Sequence, residues 1–68
     1  MKNKTLTKEQ KNNYNLMLDT VENLRYSQGF YGRLFNEIRN LSETELYDFI
    51  ISLPKFKAPV DVIFYFET

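Results

Sequence analysis

The chain contains no cysteine and no histidine among its 68 residues. It therefore forms no disulfide, and zinc, which proteins bind mainly through thiolate and imidazole groups, lacks its usual ligands. A domain this short buries only about 60% of the surface that its unfolded chain exposes, so it needs a further source of stability. Five Tyr and six Phe provide one in the form of an aromatic core. Oligomerisation is the other possible source of stability.

The same absences bear on catalysis. General acid–base chemistry near neutral pH usually draws on histidine, or on a carboxylate or lysine whose pKa burial has shifted. Here the carboxylates lie at predicted helix starts or on polar faces, and no histidine is present to activate a serine. We interpret Ser27 and Ser42 as helix caps. The sequence thus predicts a protein that is not an enzyme and binds no cofactor and no metal.

The formal net charge is zero, but it is unevenly distributed. Residues 1–11 contain four lysines and one glutamate, a net charge of +3, and the rest of the chain carries −3. We predict a flexible basic tail at residues 1–6 and a single helical domain at residues 7–68. The tail is interpreted as a solvated terminus, and the alternative is a weak contact to nucleic acid or to an acidic partner.

Long apolar runs are also missing. None approaches the roughly 20 residues of a membrane span, and the charged start of the chain lacks the apolar segment of a secretory signal. The sequence therefore predicts a cytoplasmic protein without membrane association.

The first predicted helix begins with a capping box from Thr7 to Gln10, in which the two side chains and backbone N–H groups bond reciprocally. Apolar residues then recur at steps of three and four, which is typical of one buried helical face. This face consists of Tyr14, Met17, Leu18, Val21 and Leu24. We place the end of the pattern at Ser27, because serine favours an N-cap and the following glycine disfavours a helix interior.

The second predicted helix has a buried stripe with two aromatic residues beside it. The stripe consists of Phe30, Leu34, Ile38 and Leu41, and the flanking residues are Tyr31 and Phe35. Gly29 and Gly32 are three positions apart and share a helical face. We interpret them as positions where a neighbouring backbone or side chain approaches closely.

A second capping box, from Ser42 to Glu45, predicts a third helix that starts at Glu43 and ends before Pro54. Residues 60–66 are rich in strand-forming side chains, but a lone strand would leave its backbone groups unpaired, and Pro59 suits a first helical position. We therefore expect a short terminal helix. The predicted fold is all-α, a small bundle of three to four helices in which the first packs against the second and third and the terminal aromatics close one end.

Two sets of residues have more than one interpretation. The three aromatics of residues 64–66 point in different directions around a helix, so at least one is expected at the rim of the core or in an interface. The second set contains Arg25, Arg33 and Arg39, which we expect to pair with Glu22 or Glu37. Together with nearby tyrosines these arginines would otherwise offer cations and stacking faces to a nucleic acid.

The octapeptide that runs from Ser27 to Leu34, followed by the segment from Phe56 to Asp61, resembles short uncharacterised proteins of phages, prophages and plasmids of Gram-positive bacteria. The resemblance covers most of the chain from Val21 onward. It implies an accessory protein of a mobile element that binds host or phage machinery. Those proteins often carry Asp before the proline where this chain has Ala58, which predicts a terminal helix without a good N-cap and more prone to fraying.

These observations favour a protein–protein interaction module, such as an inhibitor or adaptor of a host or phage complex. The predicted partner-binding residues are Gln28, Tyr31, Arg33 and Tyr65. Self-association into a homodimer is a further use of exposed aromatics. The alternative function is a small nucleic-acid-binding accessory protein, whose affinity would fall steeply with salt and depend on the N-terminal lysines.

Overall fold

The fold is known from a computed structural model that describes residues 5–67. Its helices are α1 (Lys8–Leu24), α2 (Gly29–Arg39), α3 (Glu43–Ile51) and α4 (Pro59–Glu67). No strand occurs among the described residues, and the all-α bundle predicted from the sequence is confirmed, including the helical terminal segment. Residues 1–4 of the predicted basic tail lie outside the described residues, as does residue 68.

Both predicted capping boxes are present. The hydroxyl of Thr7 accepts from the backbone N–H of Gln10 at 3.0 Å, and the Gln10 side-chain oxygen accepts from the Thr7 N–H at 2.8 Å. Ser42 and Glu45 make the equivalent pair at 3.2 and 3.0 Å. Each N-cap side chain typically stabilises a helix by about 1 kcal/mol, which explains why α1 and α3 begin where the sequence predicts.

The start of α4 replaces its missing N-cap in another way. Ala58 has no side-chain acceptor, but the carboxylate of Asp61, at the third helical position, accepts from the backbone N–H of Lys57 at 2.8 Å. The N–H of Asp61 in turn donates to the Ala58 carbonyl at 3.0 Å. A negative charge in the first turn also complements the positive end of the helix dipole. Asp61 therefore supplies part of the stabilisation that an N-cap aspartate would give.

The core lies against α1, which contacts each of the other three helices. The buried core residues are Met17, Val21, Tyr31, Phe35, Ile38, Phe56 and Val62. The apolar face predicted for α1 is confirmed, since Met17 and Val21 are fully buried and the other members of the face pack against the core. Thr20 is also buried, and its hydroxyl donates to the Leu16 carbonyl at 2.9 Å, so no polar group is left without a partner there.

The orientation of α2 differs from the prediction. Phe30 is 46% exposed, whereas Tyr31 is 0% exposed and lies in the core. The helix begins after Gln28, which is its N-cap residue, and Ser27 instead donates its hydroxyl to the Leu24 carbonyl at 3.3 Å, at the end of α1. Adjacent residues point about 100° apart on a helix, so this orientation exchanges Tyr31 for Phe30 in the core.

The segment between α3 and α4 is attached to α1 through one amide side chain. Asn13 Nδ2 donates to the Pro54 carbonyl at 2.8 Å, and Asn13 Oδ1 accepts from the backbone N–H of Phe56 at 2.7 Å. One turn earlier on α1, Glu9 forms an ion pair with Lys55, whose hydrogen bond holds the pKa of the Glu9 carboxyl below its usual value. These contacts hold Phe56 in place as it inserts into the core.

Replacing Asn13 with alanine should therefore destabilise the fold. The substitution leaves the Pro54 carbonyl and the Phe56 N–H without their partner, and we expect a loss of about 1–2 kcal/mol in the free energy of unfolding, measured by urea denaturation followed by circular dichroism. Asn12→Ala is the matched control, because Asn12 is exposed and should change stability by less than about 0.5 kcal/mol. Equal effects of the two variants would contradict the role given to Asn13.

Candidate interaction surface

The four predicted partner-binding residues do not share one environment. Gln28, Arg33 and Tyr65 are exposed, but Tyr31 is completely buried. Tyr31 was expected beside Arg33 as an aromatic anchor for a partner, and that placement is wrong. In the orientation that α2 adopts, the Tyr31 ring fills the core and only an unfolding event would expose it.

Tyr31 instead joins α2 to α4. Its hydroxyl donates to Glu67 Oε2 at 2.7 Å, so a buried phenol gains the hydrogen bond that burial would otherwise remove. Burial, together with the hydrogen bond and the negative charge of Glu67, raises the pKa of Tyr31 to about 12. This bond places the first turns of α2 next to the last turn of α4.

Large apolar side chains remain exposed on both of these helices. Val60 is 48% exposed and Phe64 is 61% exposed, and they lie one turn apart on the side of α4 opposite the buried Val62. Phe30 of α2 makes an edge contact with the Tyr31 ring, with centroids 5.1 Å apart, and leaves its other side open. We use the name α2–α4 surface for the exposed residues Gln28, Phe30, Arg33, Val60 and Phe64, which belong to the two helices, or their caps, that the Tyr31–Glu67 bond joins.

Tyr65 lies at the rim of the core. Its ring makes edge contacts with Phe56 at 5.6 Å and with Phe66 at 4.9 Å, and the side chain remains partly exposed. Of the three consecutive aromatics, Phe64 is the one that the fold leaves most open. Tyr65 was a predicted partner-binding residue and Phe64 was not, although both belong to the same aromatic run.

Arg33 points away from the core, about 200° around α2 from Tyr31. Among the described residues its guanidinium has no hydrogen bond, ion pair or ring contact, so the predicted pairing with Glu22 or Glu37 is wrong at this position. The same holds for Arg25 and Arg39, neither of which lies within ion-pair distance of a described carboxylate. Both instead contact aromatic rings.

The glycines of α2 do not serve the close approach that was expected of them. A Cβ added at Gly29 would meet no other atom within 4 Å, and one at Gly32 would lie 3.8 Å from the Arg25 carbonyl oxygen, an ordinary contact. Neither glycine has a positive φ. The fold therefore does not require glycine at either position, and Gly29, four positions before Arg33, leaves the outer face of α2 without a side chain there.

One groove on α1 is lined by residues that the fold already uses. An open groove of about 520 Å³ lies between the first turns of α1 and the segment before α4, and its polar rim includes Asn13, Glu9 and Lys55. These three side chains are engaged in the contacts that attach that segment to α1. Within residues 5–67, no three acidic side chains come together as metal ligands would, and no described helix combines the length and apolar character needed to cross a membrane.

The fold and its exposed residues define a small all-helical domain with an aromatic surface. No family model, curated protein or solved structure matches the chain.

Alkaline pH should destabilise the protein through Tyr31. Its pKa is raised from 10.0 to about 12 in the folded state, so the folded state favours the neutral phenol. This contribution to stability is complete below about pH 10 and is lost as the pH rises towards 12. Urea denaturation across this range should show the decline, and Tyr31→Phe should flatten it. If the stability of Tyr31→Phe declined with pH as much as that of the unmodified protein, Tyr31 would not be the source of the decline.

Gly29→Ala should stabilise the protein by about 0.5–1 kcal/mol. The new methyl group meets open space and the backbone is already helical, so the main effect is to restrict the unfolded chain. Thermal unfolding followed by circular dichroism measures this change. A loss of stability would mean that Gly29 has a structural requirement that its open surroundings do not reveal.

Proposed function

We propose that this chain is a small protein–protein interaction module that binds its partner through the α2–α4 surface. The observation that carries the proposal is the exposure of Phe64, at 61%, and of Val60, at 48%, on the outward side of α4. Exposed apolar residues next to one another in a monomer mark interaction sites more often than isolated ones do. Aromatic side chains are also enriched in the buried centres of protein interfaces.

Arg33 gives this surface a polar contact. Its guanidinium has no partner among the described residues and stands on the outer face of α2, with no side chain at Gly29 to cover it. Arginine makes strong, directional hydrogen bonds to carboxylates and is frequent among the residues that dominate binding energy. The partner is therefore expected to present an apolar patch to Phe64 and an acidic side chain to Arg33.

Gln28 and Tyr65 lie at the margins of this surface. Gln28 is exposed, and its backbone carbonyl accepts from the N–H groups of Tyr31 and Gly32, so its side chain is free of a capping role. Tyr65 follows Phe64 and remains partly exposed at the rim of the core.

The role of a mobile-element accessory, which the resemblance of the octapeptide implies, stays a prediction and is compatible with an adaptor or inhibitor.

Phe64→Ser and Arg33→Ala should each weaken the partner complex by about tenfold or more, because an interface loses an apolar anchor or a charge-assisted hydrogen bond. Neither should lower the melting temperature appreciably, since both side chains are exposed. The partner is first captured from host lysate free of nucleic acid and then purified, and its Kd for each variant is measured by calorimetry.

Ile51→Ser is the matched control, because Ile51 is an exposed apolar residue of similar accessibility on α3. It should leave the Kd unchanged. A loss of affinity equal to that of Phe64→Ser would show that the effect of Phe64 reflects nonspecific hydrophobic contact. Light scattering of the chain alone provides a second check against its mass of 8.2 kDa. A measured mass near twice this value would indicate a homodimer. If Phe64→Ser then returned the protein to a monomer, the partner at this surface would be a second copy of the chain and not a foreign protein.

A further inference from the structure

Two arginines, one just after α1 and one at the end of α2, converge on the same aromatic ring. The guanidinium carbon of Arg25 lies 4.7 Å from the centroid of the Phe35 ring, and that of Arg39 lies 5.7 Å from the same centroid. Arg25 also lies 4.6 Å from the Tyr26 ring and donates from Nη2 to the Tyr26 hydroxyl at 2.9 Å. Two positive charges thus lie within 6 Å of the centre of one buried ring.

These charges are not neutralised within the described part of the chain. No carboxylate of residues 5–67 lies within 4.0 Å of either guanidinium. Arg25 Nε is buried and has no hydrogen-bond acceptor, which is uncommon for a polar atom in a folded protein. The rings hold the Arg25 guanidinium in position, while its terminal nitrogens have no acidic partner. Such an arrangement is already organised to receive an anion.

Tyr26 adds a second chemical feature to this cluster. Tyr26 is 76% exposed, the highest value among the large apolar and aromatic residues described, and Arg25 lies against its ring, while Phe35 is buried. An exposed aromatic ring next to guanidinium groups offers a stacking face beside a phosphate-binding position. Single-stranded nucleic acids are bound by this combination, because every base has a face that stacks and every nucleotide carries a phosphate.

We propose that Arg25, Arg39 and Tyr26 form a binding site for single-stranded nucleic acid, in which the two guanidinium groups donate to backbone phosphate and a base stacks on Tyr26. An acidic peptide could bind the two arginines, but its carboxylates would make no use of the exposed Tyr26 ring. The site shares no residue with the α2–α4 surface, so it can be tested independently of the proposed partner binding.

The proposal predicts weak binding with a shallow dependence on salt. The chain has no net charge, so long-range attraction contributes little, and two arginines make few phosphate contacts. For a single strand the slope of log affinity against log salt is about −0.7 per phosphate contacted, which gives about −1.4 for two contacts. A much steeper slope would place the binding on the N-terminal lysines instead.

The experiment titrates the full chain with a short oligothymidylate and follows the arginine Nε–H signals by NMR, with the Kd from fluorescence anisotropy. We expect the signals of Arg25 and Arg39 to shift, and Arg39→Gln to raise the Kd about fivefold or more. Tyr26→Ala should do the same, because it removes the stacking face, whereas Tyr26→Phe keeps the ring and should restore most of the affinity. Melting curves confirm that each variant is folded.

Lys11→Gln is the charge-matched control. It also removes one positive charge, but Lys11 is exposed and lies 14 positions before Arg25, about 21 Å away along a helix. It should change the Kd less than twofold, and a loss equal to that of Arg39→Gln would overturn the site in favour of general charge attraction.

Two competitors complete the test. Oligoglutamate of matched charge should displace the oligothymidylate poorly, and equally effective displacement would overturn the proposal in favour of an acidic peptide. Inorganic phosphate should shift the arginine signals only at much higher concentration. Equal shifts by phosphate alone would reduce the cluster to a simple anion site. Unshifted signals of Arg25 and Arg39 at saturating oligothymidylate would rule the site out.

Discussion

The burial of one face of α1 is the constraint on which the structure depends. The chain has no disulfide to hold its elements together, and each of the other helices packs against α1. Met17 and Val21 are fully buried because they lie where these contacts meet. A helix with a single apolar face holds three partners here because α2, α3 and α4 are short. The outward sides of these short helices are then left to solvent, and the exposed aromatics lie there.

Polar contacts determine how the short helices are placed on α1. Asn13 attaches the segment between α3 and α4 to α1 with both halves of its amide, which brings Phe56 into the core. The hydroxyl of Tyr31 then joins α2 to the end of α4 through Glu67. Each contact links residues that are distant in the sequence. They decide which aromatic side chains are buried and which are available to a partner.

The two proposed sites follow from this arrangement by different routes. Phe64 and Val60 are exposed because Val62 occupies the buried side of α4, and a short helix with apolar residues all round cannot bury them all. Arg25 and Arg39 both lie near the Phe35 ring because α1 packs against α2, the helix that carries Phe35. The first site is an apolar surface and the second a cationic one, and the two do not overlap.

Local signals in the sequence determined the all-helical class and the starts of α1, α3 and α4. Capping residues and Pro59 act within a few positions of themselves, so no distant contact is needed to predict their effect. Tertiary structure alone decided that Tyr31 is buried and Phe30 exposed, and that Arg25 and Arg39 face rings rather than carboxylates. Neighbours on a helix differ in direction by about 100°, and only packing against α1 and the bond to Glu67 select one orientation of α2.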